Sequence, residues 1–163
     1  ATLQPGGYTA IVSGKNGTSG VGLVEVYDLD PAASSQLGNI SGRSFVQTGD
    51  DVMIGGFIVG NNIGASKVIV RALGPSLAQA GVSNPLANPT LEIHDGNGAL
   101  IRSNDNWQDD PTQAALITSS GLAPSNNLES AIVAGLAPGN YTAIVAGKNG
   151  GTGIGLVEVY KLP

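Results

Sequence analysis

Residues 134–163 read AGLAPGNYTAIVAGKNGGTGIGLVEVYKLP, and residues 1–30 read ATLQPGGYTAIVSGKNGTSGVGLVEVYDLD. Offset by 133 positions, the two stretches agree at 21 of 30 without a gap. Self-similarity of this kind marks a duplicated structural unit. Nothing in residues 31–133 is repeated. The chain therefore reads as one full β module over residues 37–163, a copy of that module's tail at residues 1–30, and a linker at residues 31–36 that carries Pro31, Ser34 and Ser35.

Each copy predicts a β-hairpin. Tyr8–Val12 and Tyr141–Val145 are β-rich runs entered through Pro-Gly turns, and Val21–Tyr27 and Ile154–Tyr160 are the returning strands. Between them, Gly14–Gly17 and Gly147–Gly150 carry an Asn-Gly pair, the dipeptide that most readily takes positive φ in a tight turn.

Working inward, further strands are expected at Ser44–Thr48, Asp51–Val59, Lys67–Leu73, Thr90–His94, Ala99–Ser103 and Ser130–Gly135, with Asp95–Gly98 as a hairpin turn. One helix is expected at Pro111–Ser120. Asp110 can cap it, Pro111 suits its first turn, Gln113 stands where a capping box wants it, and Gly121 ends it. Pro75–Ala80 is expected to form a single further turn. Many short strands separated by Gly and Pro turns indicate a mainly β chain: an antiparallel β-sandwich of jelly-roll or Ig-like type with one short α-helix near 111–120.

Composition narrows the function. Lys and Arg number 7 against 12 Asp and Glu, a net charge of -5, which speaks against a nucleic-acid or anionic-membrane partner. Cysteine is absent, which removes disulfides, thiolate nucleophiles and cysteine metal sites. No apolar run approaches 18 residues, so no membrane-inserted helix is expected. Only 12% of residues are charged, about half the usual share. In Asp51–Val59, Val52, Ile54 and Ile58 alternate with Met53, Phe57 and Val59, so neither face is polar. A loop, the helix or a neighbouring subunit must cover the second face.

The surplus copy is the main clue. An isolated two-stranded hairpin is marginal in water, and residues 141–161 already fill the place to which residues 8–27 are adapted. The spare copy can extend its own chain's sheet, remain an unpaired relic, or add to a sheet of the next subunit. The third course is strand addition, in which main-chain hydrogen bonds along an open edge supply the affinity. The residues expected to carry it are Tyr8, Ala10, Ile11, Val12, Leu23, Val24, Val26 and Tyr27, and the partner would be another copy of this chain.

A family resemblance rests on Leu136–Gly147 followed by Gly153–Tyr160, together with Val46–Asp50, Ile54–Phe57, Val68–Ser76, Asn104–Trp107 and Asn127–Val133. This pattern resembles bacterial pre-peptidase C-terminal (PPC)-type β-sandwiches and tandem modules of large secreted, surface-associated proteins of environmental bacteria. The resemblance implies an exported, non-catalytic β module, extracellular or at the cell surface. The half-module at the start departs from a plain tandem array.

Catalytic constellations are missing. His94 is the single histidine, and no Gly-x-Ser-x-Gly elbow accompanies it. Asp105, Asp109 and Asp110 surround Trp107. Their first reading is a helix cap with loop carboxylates; the second is a set of hard oxygen ligands for calcium, although the spacing is not that of an EF-hand. The glycines of Gly150–Gly155 precede a strand rather than a helix, so they read as turn residues and not as a phosphate loop. Asn16, Asn39 and Asn140 begin glycosylation sequons, a triplet common by chance in so Asn-, Ser- and Thr-rich a chain.

These readings converge on a non-catalytic extracellular structural subunit without a required cofactor. It would polymerise into a filament or surface layer by donating its N-terminal segment to a neighbour. The alternative is a carbohydrate-binding or adhesion module in which Trp107, Tyr141 and Tyr160 stack on a glycan.

Overall fold

A computed structural model describes residues 2–29, 37–60 and 64–163, and the linker expected at 31–36 lies outside the described residues. The chain forms two compact units, Ala1–Leu37 and Gly38–Pro163. The second contains β1 (Asn39–Val46), β2 (Met53–Val59), β3 (Ser66–Leu73), β4 (Pro89–Asp95), β5 (Leu100–Asn104), α1 (Pro111–Ser119), β6 (Ser130–Leu136), β7 (Gly139–Gly147) and β8 (Gly153–Lys161). The expected single turn at Pro75–Ala80 is a 3-10 helix.

Two four-stranded antiparallel sheets result, ordered β1-β8-β3-β6 and β2-β7-β4-β5. With the chain passing repeatedly from one sheet to the other, this order is that of a jelly roll. The alternation in β4 shows how the sequence dictates the layers. Leu91 and Ile93 are fully buried between the sheets, while Glu92 and His94 face outward. The inter-sheet core gathers Val46, Met53, Phe57, Val70, Leu91, Ile93, Ile132, Val145 and Val157.

The hairpin expected at the C-terminus is not formed. β7 lies between β2 and β4 in one sheet, and β8 lies between β1 and β3 in the other. Residues Gly147–Gly153 are therefore a β-arch that crosses the sandwich. The Asn-Gly pair takes its positive φ, 54° at Asn149 and 75° at Gly150, as expected. However, the extended glycines that follow carry the chain across instead of back alongside. Burial explains the preference, because Ala143 and Val145 on β7 and Val157 on β8 enter one core from opposite sides. A hairpin would put all three in one sheet.

Helix α1 closes the outer face of β3 and β6. Ile117 packs there with Ile69, Trp107, Ala131, Val133 and Leu162. Asp110 caps the helix, accepting from the Thr112 amide at 2.8 Å and the Gln113 amide at 3.1 Å. Gln113 does not reach back as a capping box requires. Its Oε1 accepts from the Val133 amide at 2.9 Å and ties the helix to β6.

β1 begins earlier than expected, at Asn39, because Ile40 and Gly42 pair with Val159 and Val157. It ends at Val46, where Gln47 and Thr48 bond across a turn to Asp51. In β2, Met53, Phe57 and Val59 are buried, whereas Ile54 and Ile58 remain 61% and 67% exposed. The helix covers the other sheet, so among the described residues nothing of the module covers the outer face of β2.

Candidate assembly site

The N-terminal unit repeats the turn that joins β7 and β8. Asn16 has φ 57° and ψ 33°, against 54° and 32° at Asn149. Gly17 and Gly150 share a φ of 75°. A Cβ on Gly14 would lie 1.8 Å from the Thr18 carbonyl oxygen, and one on Gly147 would lie 2.0 Å from that of Gly151, so both turns demand glycine for the same close approach. The Tyr8 hydroxyl donates to the Gln4 carbonyl at 2.6 Å, as that of Tyr141 does to Ala137 at 2.7 Å. The Tyr27 hydroxyl donates to Glu25 Oε1 at 3.0 Å, as that of Tyr160 does to Glu158 Oε1 at 2.9 Å.

Surroundings distinguish the copies. The strands expected at Tyr8–Val12 and Val21–Tyr27 form no ladder among the described residues, and every described residue from 2 to 29 is exposed. Val12 is 63% exposed where Val145 is fully buried; Val24 is 49% exposed where Val157 is at 4%. The first unit thus shares the turn of the arch whose two strands, in the other copy, occupy central positions in two sheets. Of the residues singled out for assembly, Tyr8, Ala10, Val12, Val24 and Val26 correspond to core-facing Tyr141, Ala143, Val145, Val157 and Val159. Ile11, Leu23 and Tyr27 correspond to outward-facing Ile144, Leu156 and Tyr160.

A charged contact missed by sequence reading holds the mature arch. Arg71 on β3 lies opposite Glu158 on β8 and forms an ion pair with it. The same guanidinium donates to the Leu122 carbonyl at 2.9 Å and stands 5.2 Å over the Tyr160 ring. Burial first, and then the Glu158 hydrogen bond, push the Tyr160 phenol above its usual range. The Glu25 carboxylate does the same to Tyr27. The signal in the sequence was the glutamate kept in both copies within an otherwise apolar strand.

Asp105, Asp109 and Asp110 line one shallow groove with Glu92 and Ser103, yet each is engaged by protein. Asp105 pairs with Lys148, whose ammonium pKa rises through that hydrogen bond. Asp109 Oδ2 accepts from Asn106 at 3.0 Å, and Asp110 caps α1 with Arg102 at 3.7 Å. Among the described residues, no three His, Cys, Asp or Glu side chains come together to hold a metal ion.

The rings considered for glycan stacking are occupied. Trp107 is only 8% exposed and lies beneath α1, which corrects its reading as an open platform. Tyr141 stacks on Phe57 at 5.6 Å, and Arg71 covers Tyr160. His94 is held by Glu92 Oε2 at 2.8 Å and by the Gly98 carbonyl at 3.1 Å. Both acceptors favour the imidazolium, with Glu92 the larger cause, so its pKa is raised. The sequon residues Asn16, Asn39 and Asn140 are exposed.

No protein-family model and no curated protein matches this chain. A solved structure similar to it is the pre-peptidase C-terminal domain of a collagenase from Bacillus anthracis, with a TM-score of 0.43 and 17% identity, covering 74% of this chain and 88% of that one. It is the type of domain that the sequence pattern resembles. The fold assignment itself rests on the strand order described above.

Proposed function

We propose that the protein is a non-catalytic structural subunit, exported to the cell surface or beyond, which polymerises by donating its N-terminal arch to a neighbouring copy. One observation supports this reading: the turn of the N-terminal unit already has the dihedral angles that residues 147–151 take within the sandwich, while its apolar side chains lie exposed. Unpaired strand edges are templates for pairing with another chain, and ordering the turn beforehand lowers the entropy that docking must overcome. Each copy has one arch to give, so donation proceeds head to tail, and such contacts grow into filaments when the rotation does not close. The small number of charges fits a surface that becomes covered by neighbours.

Light scattering and electron microscopy of the full chain test this. Concentration-dependent oligomers or filaments are expected, and a chain lacking residues 1–30 should remain a folded monomer. A full chain that stays monomeric at every concentration overturns the reading.

A further inference from the structure

The place that receives the arch can be read from the sheet order. Residues 139–161 of every copy already fill the slot between the β1–β2 and β3–β4 layers, so an incoming arch must find an edge. β1 and β2 are edge strands of the two sheets on the same flank of the sandwich. That flank carries exposed Ile40, Phe45, Ile54 and Ile58. The opposite flank ends in β5 and β6, and α1 packs on β6. β5 and β6 are adjacent edges too, but β6 runs in the direction of β8 and β5 in that of β7, so a translated copy of the β7–β8 arch would lie parallel to both of them.

Resting on the donation reading above, we propose that the β1–β2 flank of one copy accepts residues 8–27 of another. Residues 20–27 would add beside β1, and residues 8–14 beside β2. Translated two strand positions outward, a copy of the β7–β8 arch stays antiparallel to both edges. In that position β1 stands to the incoming strand as β3 stands to β8.

The side chains agree. On β3, Arg71 faces Glu158; on β1, Arg43 points to the same outer face, since its register partner Leu156 shares that face with Glu158. Arg43 is exposed and makes no ion pair among the described residues, nor does Glu25. Setting Arg43 opposite Glu25 repeats the Arg71–Glu158 contact and brings Phe45 opposite Leu23. The arch turn, with Lys15, then lies at the β1–β2 turn, where Asp50 and Asp51 are exposed. On the other sheet, Ile11 joins Ile54 on the outer face.

Charge reversal tests the site, because Glu25→Arg and Arg43→Glu alter exposed residues and should leave thermal unfolding of the monomer unchanged. Each variant alone should need about tenfold or more protein to assemble, through like charges facing each other. An equimolar mixture of the two should assemble as readily as the parent chain, because every donor then meets an acceptor of opposite sign. Since the chain has no cysteine, Leu23→Cys and Phe45→Cys in separate chains, which the same register sets opposite each other, should also give a disulfide-linked dimer.

Three results overturn the proposal. If the mixture stays monomeric and recovery occurs only with both substitutions in one chain, the arch docks on its own flank. Should both single variants assemble normally while removal of residues 1–30 abolishes assembly, donation stands and the flank is wrong. A parent chain that never assembles removes the donation reading itself.

Discussion

Arg71 and Glu158 form a largely buried ion pair across β3 and β8, whereas Glu25, the counterpart of Glu158, has Tyr27 alone as its partner among the described residues. One sequence unit thus exists in a satisfied and an unsatisfied setting within one chain. Removing one member of a buried pair leaves the other charge uncompensated, at a cost of about 3–5 kcal/mol. Arg71→Ala should lower the urea midpoint of the sandwich accordingly. Glu25→Gln should leave the unfolding of the isolated monomer unmoved.

Glu129 is fully buried beside the turn after β3. Its Oε1 accepts from the Gly74 amide at 3.0 Å, the Ser76 amide at 2.9 Å and the Ser76 hydroxyl at 2.5 Å. Glu129→Ala leaves the buried Gly74 amide and the half-buried Ser76 amide and hydroxyl without this acceptor. A buried unsatisfied donor costs about 1–3 kcal/mol, so a loss of at least this size is expected in denaturant titration. Glu129→Gln keeps an acceptor oxygen and should cost less.

The cap of α1 offers a milder change. Asp110→Ala removes the acceptor for two helix amides and should cost about 1 kcal/mol. Because Trp107 lies under this helix, tryptophan fluorescence should report the earlier loss of local structure on heating.

His94 gives a pH dependence with a defined sign. Its pKa is raised in the folded protein by Glu92 and by the Gly98 carbonyl. The stabilisation this provides is fully present below the ordinary histidine pKa of about 6.5. It is lost as pH rises through the raised, folded value. NMR titration should place the His94 midpoint above the ordinary range, and Glu92→Gln should bring it down. A midpoint unchanged by that substitution would remove the carboxylate as the cause.

Much of the architecture was legible along the chain. The strands from Lys67–Leu73 onward lie where β-branched runs and turn residues put them, and the helix begins at Pro111 behind its Asp110 cap. The capping box failed because Gln113 found a better partner in the Val133 amide, twenty residues away. Trp107 read as a ring among acids in a loop, but α1 folds over it. The aspartates beside it were recognised as a cluster, whereas Lys148, which holds Asp105, is 43 positions distant. Arg71 and Arg43 carried no local signal, because their importance lies in what faces them across a ladder.

Local chemistry alone determined the turn. Gly-Lys-Asn-Gly adopts nearly the same dihedral angles in both copies, with or without neighbours, since close atoms within five residues set them. Whether that turn closes a hairpin or spans a sandwich was beyond the sequence. Strand pairing depends on which remote segments bury the same face, and only when β1 through β4 are in place does each side of the arch have two neighbours. The duplicate therefore announced a surplus part, while the tertiary structure showed that its counterpart, residues 139–161, crosses between two sheets rather than folding back as a hairpin.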